Sequence, residues 1–182
     1  MRTFILSTAA VSIAALTLTH LAPATADGIG VRDPADLDHG VDLRSVVVDH
    51  GAEDIVVTTT HRNLRPSFRT GSAGAVYLDT DPLDAGPEYV FVGGYFVGTD
   101  YTLVATEGFG NRQWGEPVDG SYRMRLDFTR DRVRMRISRD ALGSPDQVRV
   151  AVRVSGTRRD GTSAGLVDWL GEPRSFTEWV AQ

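Results

Sequence analysis

From about residue 43 onward, the chain alternates between hydrophobic and polar positions. Segments rich in β-branched and aromatic residues are bounded by Gly, Pro, Asp and Asn. They lie at residues 43–49, 54–61, 74–79, 88–94, 100–106, 121–129, 132–138, 147–155 and, more weakly, 165–170. Alternation with a period of two is typical of strands that have one face in a core and the other in water. The pattern predicts about eight or nine short strands.

The segment at residues 121–138 predicts a hairpin and allows its two faces to be compared. A two-residue turn within "TRDR" predicts three cross-strand pairs, Phe128 with Val133, Leu126 with Met135, and Met124 with Ile137. All of these apolar residues then share one face. The opposite face carries Arg123, Arg125, Asp127, Arg132, Arg134 and Arg136. This division predicts an antiparallel sheet with one side in water.

The fold class follows from the number and spacing of these strands. Many short strands without crossover helices favour an all-β, antiparallel β-sandwich over an α/β fold. Only "SRDALG" at residues 138–143 looks helical, as a single turn that Ser138 begins and Gly143 ends. The sequence contains no internal repeat and no linker. We therefore predict one β-sandwich domain at residues 27–182.

Four segments together resemble those of family 9-like carbohydrate-binding and DOMON-like β-sandwich modules of exported bacterial proteins. They are "DLDHGVDLRSV", "AVYLDTD", "YTLVATEGFGNRQW" and "VRMRISRDALG". The resemblance implies a jelly-roll-like sandwich that binds a sugar, haem or calcium, or has no known ligand. The sequence departs from this pattern near its end, where "VDWLGEPRSFTEWV" replaces the acidic, Pro-containing strand expected in the family.

Residues 1–26 have the pattern of a cleaved signal peptide. Arg2 provides a positive start, residues 4–18 an apolar stretch, and Ala24 to Ala26 a small-residue cleavage site. The apolar stretch is shorter than the roughly 20 residues that span a bilayer, and no second one follows. We expect a secreted protein, extracellular or in the cell envelope, with no membrane span after signal removal. An uncleaved anchor is the alternative.

Composition narrows the choice of stabilising features and partners. The chain has no cysteine, so its fold cannot depend on disulfides. All of its 19 basic residues are arginine, and the formal net charge is -5. Removal of Arg2 with the signal changes this charge to about -6. A mildly acidic protein is not expected to bind nucleic acid, although a local basic surface is compatible with this charge.

The acidic segment "DTDPLDAGPE" at residues 79–88 is the candidate metal site. Asp79, Asp81 and Asp84, with Glu88 as a further ligand, are spaced closely enough to give calcium several oxygen ligands from one loop. A plain turn between two strands explains the same Asp, Pro and Gly residues. A third hypothesis is a hydrolase in which two of these carboxylates act as acid and base.

A second acidic segment precedes the first predicted strand. It contains Asp33, Asp36, Asp38, His39 and Asp42. These side chains could bind calcium or a transition metal, but a solvated lead-in segment explains the composition as well. This segment is part of "DGIGVRDPADLDHGVD" at residues 27–42, which is polar and rich in Asp and Gly, a composition that favours turns over regular structure.

Candidate ligand-binding residues are of two kinds. Arg125, Arg134 and Arg136 lie on the polar face of the predicted hairpin, where guanidinium groups could bind carboxylate, sulfate or phosphate. The aromatic residues Tyr95, Tyr101 and Trp114 could offer flat apolar surfaces to sugar rings. Interleaved acids on a solvated face, and packing in a core, are the respective alternatives.

The function that these features favour is non-enzymatic binding of a carbohydrate or an anionic cell-surface polymer. The sequence contains no G-x-S-x-G motif, no HExxH motif and no phosphate-binding loop. A hydrolase using acids near residues 79–88, and a structural or protein-interaction module of the envelope, remain alternatives.

Overall fold

The computed structural model describes residues 27–182, in which every regular element other than single 3-10 turns is a strand. The predicted signal peptide lies outside the described residues. Twelve strands follow one another in the described chain: β1 (Asp27–Arg32), β2 (Leu43–His50), β3 (Asp54–His61), β4 (Ala73–Asp79), β5 (Tyr89–Gly94), β6 (Tyr101–Thr106), β7 (Trp114–Pro117), β8 (Tyr122–Asp127), β9 (Arg132–Ser138), β10 (Gln147–Ser155), β11 (Val167–Trp169) and β12 (Val180–Ala181). The 3-10 turns are Phe68–Thr70, Asn111–Gln113 and Arg139–Leu142.

The strands form two antiparallel sheets. Sheet 1 has the order β1-β2-β3-β9-β8. Sheet 2 has the order β11-β10-β4-β5-β6-β7, and β12 pairs with β10. This arrangement confirms the predicted all-β, antiparallel β-sandwich. Among residues 27–182, no helix is long and apolar enough to cross a membrane.

The core lies between the two sheets and consists mainly of aliphatic side chains. Sheet 1 contributes buried residues from β2, β3 and β9, including Val46, Val57 and Met135. Sheet 2 contributes residues from β4, β5 and β10, including Phe91 and Val152. Alternate residues on the same strands point to the outer faces, as the period of two requires. The outer faces are therefore where a surface ligand can be bound.

All nine predicted strands are present, and three short strands were missed. The missed strands are β1, β7 and β12. β1 lies in the Asp- and Gly-rich segment for which turns were predicted, and it pairs with β2 along all six of its residues. Ile29 and Val31 alternate along β1 and pack against the core, but these two apolar residues stand between Asp, Gly and Arg and give only a weak strand pattern.

The predicted hairpin of β8 and β9 has the right faces but the wrong register. Met124 pairs with Met135, and Leu126 pairs with Val133. The connection is a four-residue loop, residues 128–131, because the Asp127 carboxylate accepts hydrogen bonds from the backbone of the next turn. The resulting shift of two residues keeps every side chain on its predicted face, since side chains alternate with a period of two.

The predicted helical turn is confirmed as the 3-10 turn Arg139–Leu142. The Ser138 hydroxyl accepts a hydrogen bond from Ala141 N–H at 3.4 Å, which caps its start. Gly143 ends the turn with φ of 74°, a left-handed conformation that favours glycine.

Candidate functional site

Arginine side chains cover part of the outer surface of sheet 1. We call this surface the arginine face and define it by Arg123, Arg125, Arg134 and Arg136. Arg123 and Arg125 lie on β8 and are directly opposite Arg136 and Arg134 on β9. All four are exposed, because the alternation that buries Met124 and Met135 directs their neighbours outward. The predicted binding residues Arg125, Arg134 and Arg136 thus lie together.

The arginine face concentrates positive charge that is compensated at one side, where Asp49, Glu53 and Asp54 line a neighbouring groove with Arg134 and Arg136. Residues two apart on one strand are about 7 Å apart, and directly opposite residues have Cβ atoms about 5 Å apart. Asp54 of β3 forms an ion pair with Arg136. Within residues 27–182, Arg123, Arg125 and Arg134 make no ion pair or side-chain hydrogen bond. Like charges directly opposite each other are destabilising, so these pairs are not explained by stability.

A groove follows the arginine face. It has a volume of about 390 Å³. The residues lining it are Asp54, Ser121, Tyr122, Arg123, Arg125, Arg134 and Arg136. Tyr122 is half-buried and packs edge-on against the rings of Phe91 and Tyr101. The groove therefore offers several guanidinium groups on a surface fixed by two paired strands.

The predicted aromatic ligand-binding residues do not join the arginine face. Tyr95 has no exposed surface and lies in the core, where its ring packs against His61 at 5.3 Å. A ligand on the surface cannot contact it, so Tyr95 is excluded from the candidate site. Tyr95 follows the paired glycines that end β5, and the sequence gives no indication of the side to which the chain turns there.

Tyr101 and Trp114 lie at sheet 2. Tyr101 is half-buried and stacks on Phe91 with ring centroids 5.7 Å apart. Trp114 is half-buried and packs on the small aromatic cluster that covers the outer face of this sheet. Both residues line a shallow groove of about 390 Å³ with Thr102 and Arg153. Trp114 thus belongs to the outer face of sheet 2, whereas the Tyr101 ring packs against the core beside Tyr122, and neither residue belongs to the arginine face.

The predicted calcium ligands do not converge. Asp79 has no exposed surface, and its Oδ2 accepts hydrogen bonds from Arg149 Nε at 2.8 Å and Nη2 at 2.6 Å. Asp81 and Asp84 accept hydrogen bonds from Leu83 N–H and Ala85 N–H. Within residues 27–182, the carboxylates that lie close enough together to hold a metal ion belong to other residues, which are described below. The turn interpretation accounts for these hydrogen bonds, and the grouping of Asp79, Asp81 and Asp84 as metal ligands stays a prediction that the geometry of the described residues does not favour.

The same contacts give no support to a hydrolase centred on this loop. Glu88 Oε2 accepts hydrogen bonds from Thr80 N–H at 2.6 Å and from the Thr80 hydroxyl at 3.0 Å. Burial raises the pKa of the Glu88 carboxyl, and the Thr80 hydrogen bonds oppose this shift. Asp79 is committed to Arg149 on the outer face of sheet 2. Each carboxylate thus has a structural partner.

Another group of carboxylates does converge, and the sequence indicated only part of it. Asp33, Asp36 and Asp168 place carboxylate oxygens within 4.8 Å of one another. Asp33 and Asp36 belong to the acidic segment before β2, for which a solvated lead-in was an adequate explanation. Asp168 lies on β11, so only the fold brings it to them.

The comparisons with known proteins place the chain in no established group. No protein-family model matches it, and no curated protein matches it either. The function of this protein therefore has to be inferred from the surfaces described above.

Proposed function

We propose that this protein is a non-enzymatic binding module for an anionic cell-surface polymer, a glycan that carries sulfate, phosphate or carboxylate groups. The observation that supports this function best is the arginine face. Of its two directly opposed arginine pairs, only Arg136 has an ion-pair partner in the described residues, Asp54, although Asp49 and Glu53 also line a groove with Arg134 and Arg136. An anionic ligand supplies the missing negative charge.

Arginine suits this ligand class for a geometric reason. A guanidinium group donates two parallel hydrogen bonds to the oxygens of sulfate, phosphate or carboxylate, and such charged hydrogen bonds are stronger than neutral ones. The four side chains form an array of about 5 by 7 Å, within which one anionic group can contact arginines from both strands. A polymer presents successive anionic groups, so several weak contacts act together.

The charge distribution favours a glycan over a nucleic acid. The chain as a whole carries a formal net charge of -5, which opposes a long, uniformly charged duplex beyond the arginine face. Binding of a single-stranded nucleic acid commonly uses exposed aromatic rings for base stacking. The aromatic residue in this groove, Tyr122, is half-buried against Phe91 and Tyr101. Export through the signal-like residues 1–26 is part of the same proposal and would bring the protein to cell-surface polymers.

The test measures binding of the purified protein to immobilised anionic glycans in about 0.1 M salt. The panel contains a sulfated, a phosphate-containing and a carboxylated polysaccharide, with a neutral glucan and double-stranded DNA as comparisons. We expect the protein to bind at least one anionic glycan. Reversing two charges with Arg125→Glu and Arg134→Glu should reduce that affinity at least about tenfold, because each charged hydrogen bond contributes about 1.5–3 kcal/mol.

The matched control reverses two exposed arginines elsewhere, Arg65→Glu and Arg112→Glu. It changes the net charge equally and should keep the affinity within about twofold. An equal loss in the control would show a general charge effect and would overturn the assignment to the arginine face. Absence of glycan binding, or tighter binding to DNA than to every glycan, would overturn the proposed ligand class.

A further inference from the structure

Three carboxylates meet where the segment after β1 passes the edge of sheet 2. We call this group the acidic junction and define it by Asp33, Asp36 and Asp168. Their carboxylate oxygens lie within 4.8 Å of one another. Asp33 and Asp36 come from the connection between β1 and β2, whereas Asp168 belongs to β11 at the opposite end of the sequence. The acidic junction therefore joins chain segments from both sheets.

Backbone hydrogen bonds hold two of these carboxylates in place. Asp33 Oδ1 accepts from Gly171 N–H at 2.7 Å, and Asp168 Oδ2 accepts from Leu43 N–H at 2.8 Å. Asp33 and Asp168 are only 9% and 6% exposed. The two bonds cross between the sheets, since each carboxylate binds the backbone of the other segment. This is a built arrangement, unlike a group of solvated side chains on a loop.

One oxygen of the acidic junction lacks any partner. Asp33 Oδ2 is buried and accepts no hydrogen bond from the described residues. A buried carboxylate oxygen without a partner is costly, and native structures usually satisfy such atoms with water or an ion. The third carboxylate, Asp36, is exposed. The group is therefore buried on one side and accessible from solvent on the other.

No ion pair in residues 27–182 neutralises the three carboxylates of the acidic junction. Arg44 interacts electrostatically with Asp33, but it forms its ion pair with Asp42, at 2.7 Å. The fold thus holds carboxylates together against their mutual repulsion.

We propose that the acidic junction binds a calcium ion through the carboxylates of Asp33, Asp36 and Asp168. Calcium prefers oxygen ligands and tolerates irregular geometry, and it completes its coordination with backbone carbonyls and water. No imidazole or thiolate belongs to this group, so its donor set does not select zinc or copper. The inference is independent of the arginine face.

The bound ion stabilises the native fold by linking the lead-in segment of sheet 1 to β11 of sheet 2. In a chain without cysteine, such a link has the role that a disulfide has in other exported domains. A ligand that binds only the native state raises its stability with concentration. At a calcium concentration about a hundredfold above Kd, the expected rise in Tm is about 5 to 10 °C.

The experiment is a calcium titration of the chelator-treated protein by calorimetry, together with thermal melting in calcium and in EGTA. We expect one calcium ion per chain and a higher Tm in calcium. Asp36→Asn should weaken binding at least about tenfold and remove the Tm difference, since it removes a ligand charge. Asp36 is exposed and makes no hydrogen bond with its side chain in the described structure, so this variant should fold and keep its Tm in EGTA.

The control is Asp84→Asn, which removes a carboxylate from the acidic loop that does not converge. It should bind calcium as the unmodified protein does. Absence of calcium binding, or an unchanged affinity in Asp36→Asn, would overturn the site. An equal loss in both variants would show that calcium responds to overall charge, which would overturn it as well. Glycan binding by the arginine face can succeed or fail independently of these results.

Discussion

The two outer faces of the sandwich both carry arginines at alternate positions but use them differently. On β9, Arg134 and Arg136 are exposed, and Arg134 has no charged partner in the described residues. On β10, Arg149 lies at the corresponding position of an outward-facing series. Its guanidinium pairs with the fully buried Asp79 and lies over the rings of Phe176 and Trp179 at 4.7 and 4.6 Å.

The difference is explained by what covers each sheet. The outer face of sheet 2 is covered by a second apolar cluster, in which Tyr77 packs against Phe109 and Trp169 with ring centroids 4.8 and 6.0 Å apart. The arginine face of sheet 1 has no comparable aromatic cover among residues 27–182. Arg149 is thus part of the folded interior of the molecule, whereas the arginine face is available to a ligand. Arginines that recur at alternate positions in the sequence can therefore have different structural roles on the two sheets.

The largest expected effect is on stability, from breaking the pair on sheet 2. Arg149→Met keeps an apolar side chain beside Phe176 but leaves Asp79 without its cation. We expect the free energy of unfolding at pH 7 to fall by about 3–5 kcal/mol, the usual cost of leaving a buried charge unpaired. Urea denaturation measures this difference.

The pH dependence of that variant tests the cause. Burial raises the pKa of Asp79, and Arg149 opposes the shift. Without Arg149, burial remains the largest effect and a backbone hydrogen bond from Asp81 opposes it, so the folded protein prefers protonated Asp79 and loses stability as pH rises above the carboxyl's ordinary range. The deficit should therefore shrink toward pH 4, and the double variant with Asp79→Asn should recover much of it at pH 7. A deficit that does not vary with pH would contradict this account.

His61, which lies in the core, should lower the stability of the protein as pH falls. This effect is opposite in sign to the one expected for Asp79 in the Arg149→Met variant. His61 Nδ1 lies 2.7 Å from the Val41 carbonyl oxygen, and Nε2 lies 2.7 Å from the Thr59 hydroxyl. Burial lowers the pKa of His61 to about 4. The unfolded chain therefore takes up a proton first as pH falls, and stability is lost from about pH 6.5 down to about pH 4. The His61 contribution should fall by about 2 kcal/mol between pH 7 and pH 4.5, measured as the difference from His61→Gln, because Asp168, whose pKa burial raises to about 6, contributes with the opposite sign over the same range.

NMR titration of the imidazole resonances checks this prediction directly. In the native protein the His61 ring should remain neutral at pH 5.5, and in urea it should titrate near 6.5. Titration of the native ring near 6.5 would contradict the assignment. His61→Gln should remove the acid-induced loss that His61 contributes, so its stability relative to the unmodified protein should improve as pH falls from 7 to 4.5, which keeps the His61 contribution separate from that of Asp79.

The smallest expected effect comes from the arginine face. Arg134→Gln removes a charge directly opposite Arg125 and breaks no contact in the described structure. Stability should stay the same or rise by up to about 0.5 kcal/mol, because a like-charge pair is relieved. A loss of more than about 1 kcal/mol in urea denaturation would show that Arg134 has a structural role and would remove the contrast with Arg149.

Local alternation was enough to predict the strands and the faces of their side chains. The faces of β8 and β9 follow from alternation, and a register error of two residues leaves them unchanged. The register itself was missed because Asp127 organises a longer turn than the sequence "TRDR" suggests. The strand β1 was missed because its apolar face consists of only two residues, Ile29 and Val31, among Asp and Gly residues that favour turns.

Contacts between distant segments could not be predicted in this way. Asp79 contacts Arg149 because β4 and β10 are neighbouring strands. Local alternation does not indicate the order of strands in a sheet. Asp168 reaches Asp33 for a similar reason, across the two sheets. The arginine face was found in advance because its residues lie on one hairpin. The acidic junction depends on contacts between distant segments, so the sequence indicated only Asp33 and Asp36 and did not connect Asp168 with them.

β8 is the last strand of sheet 1 and pairs only with β9 in the described structure. The free backbone edge of such a strand can recruit a strand from another molecule and start aggregation. Arg123 and Arg125 project from this strand, and a second copy approaching it in the same way would bring more guanidinium groups into the same small area. Their mutual repulsion would oppose such strand pairing between copies of this chain.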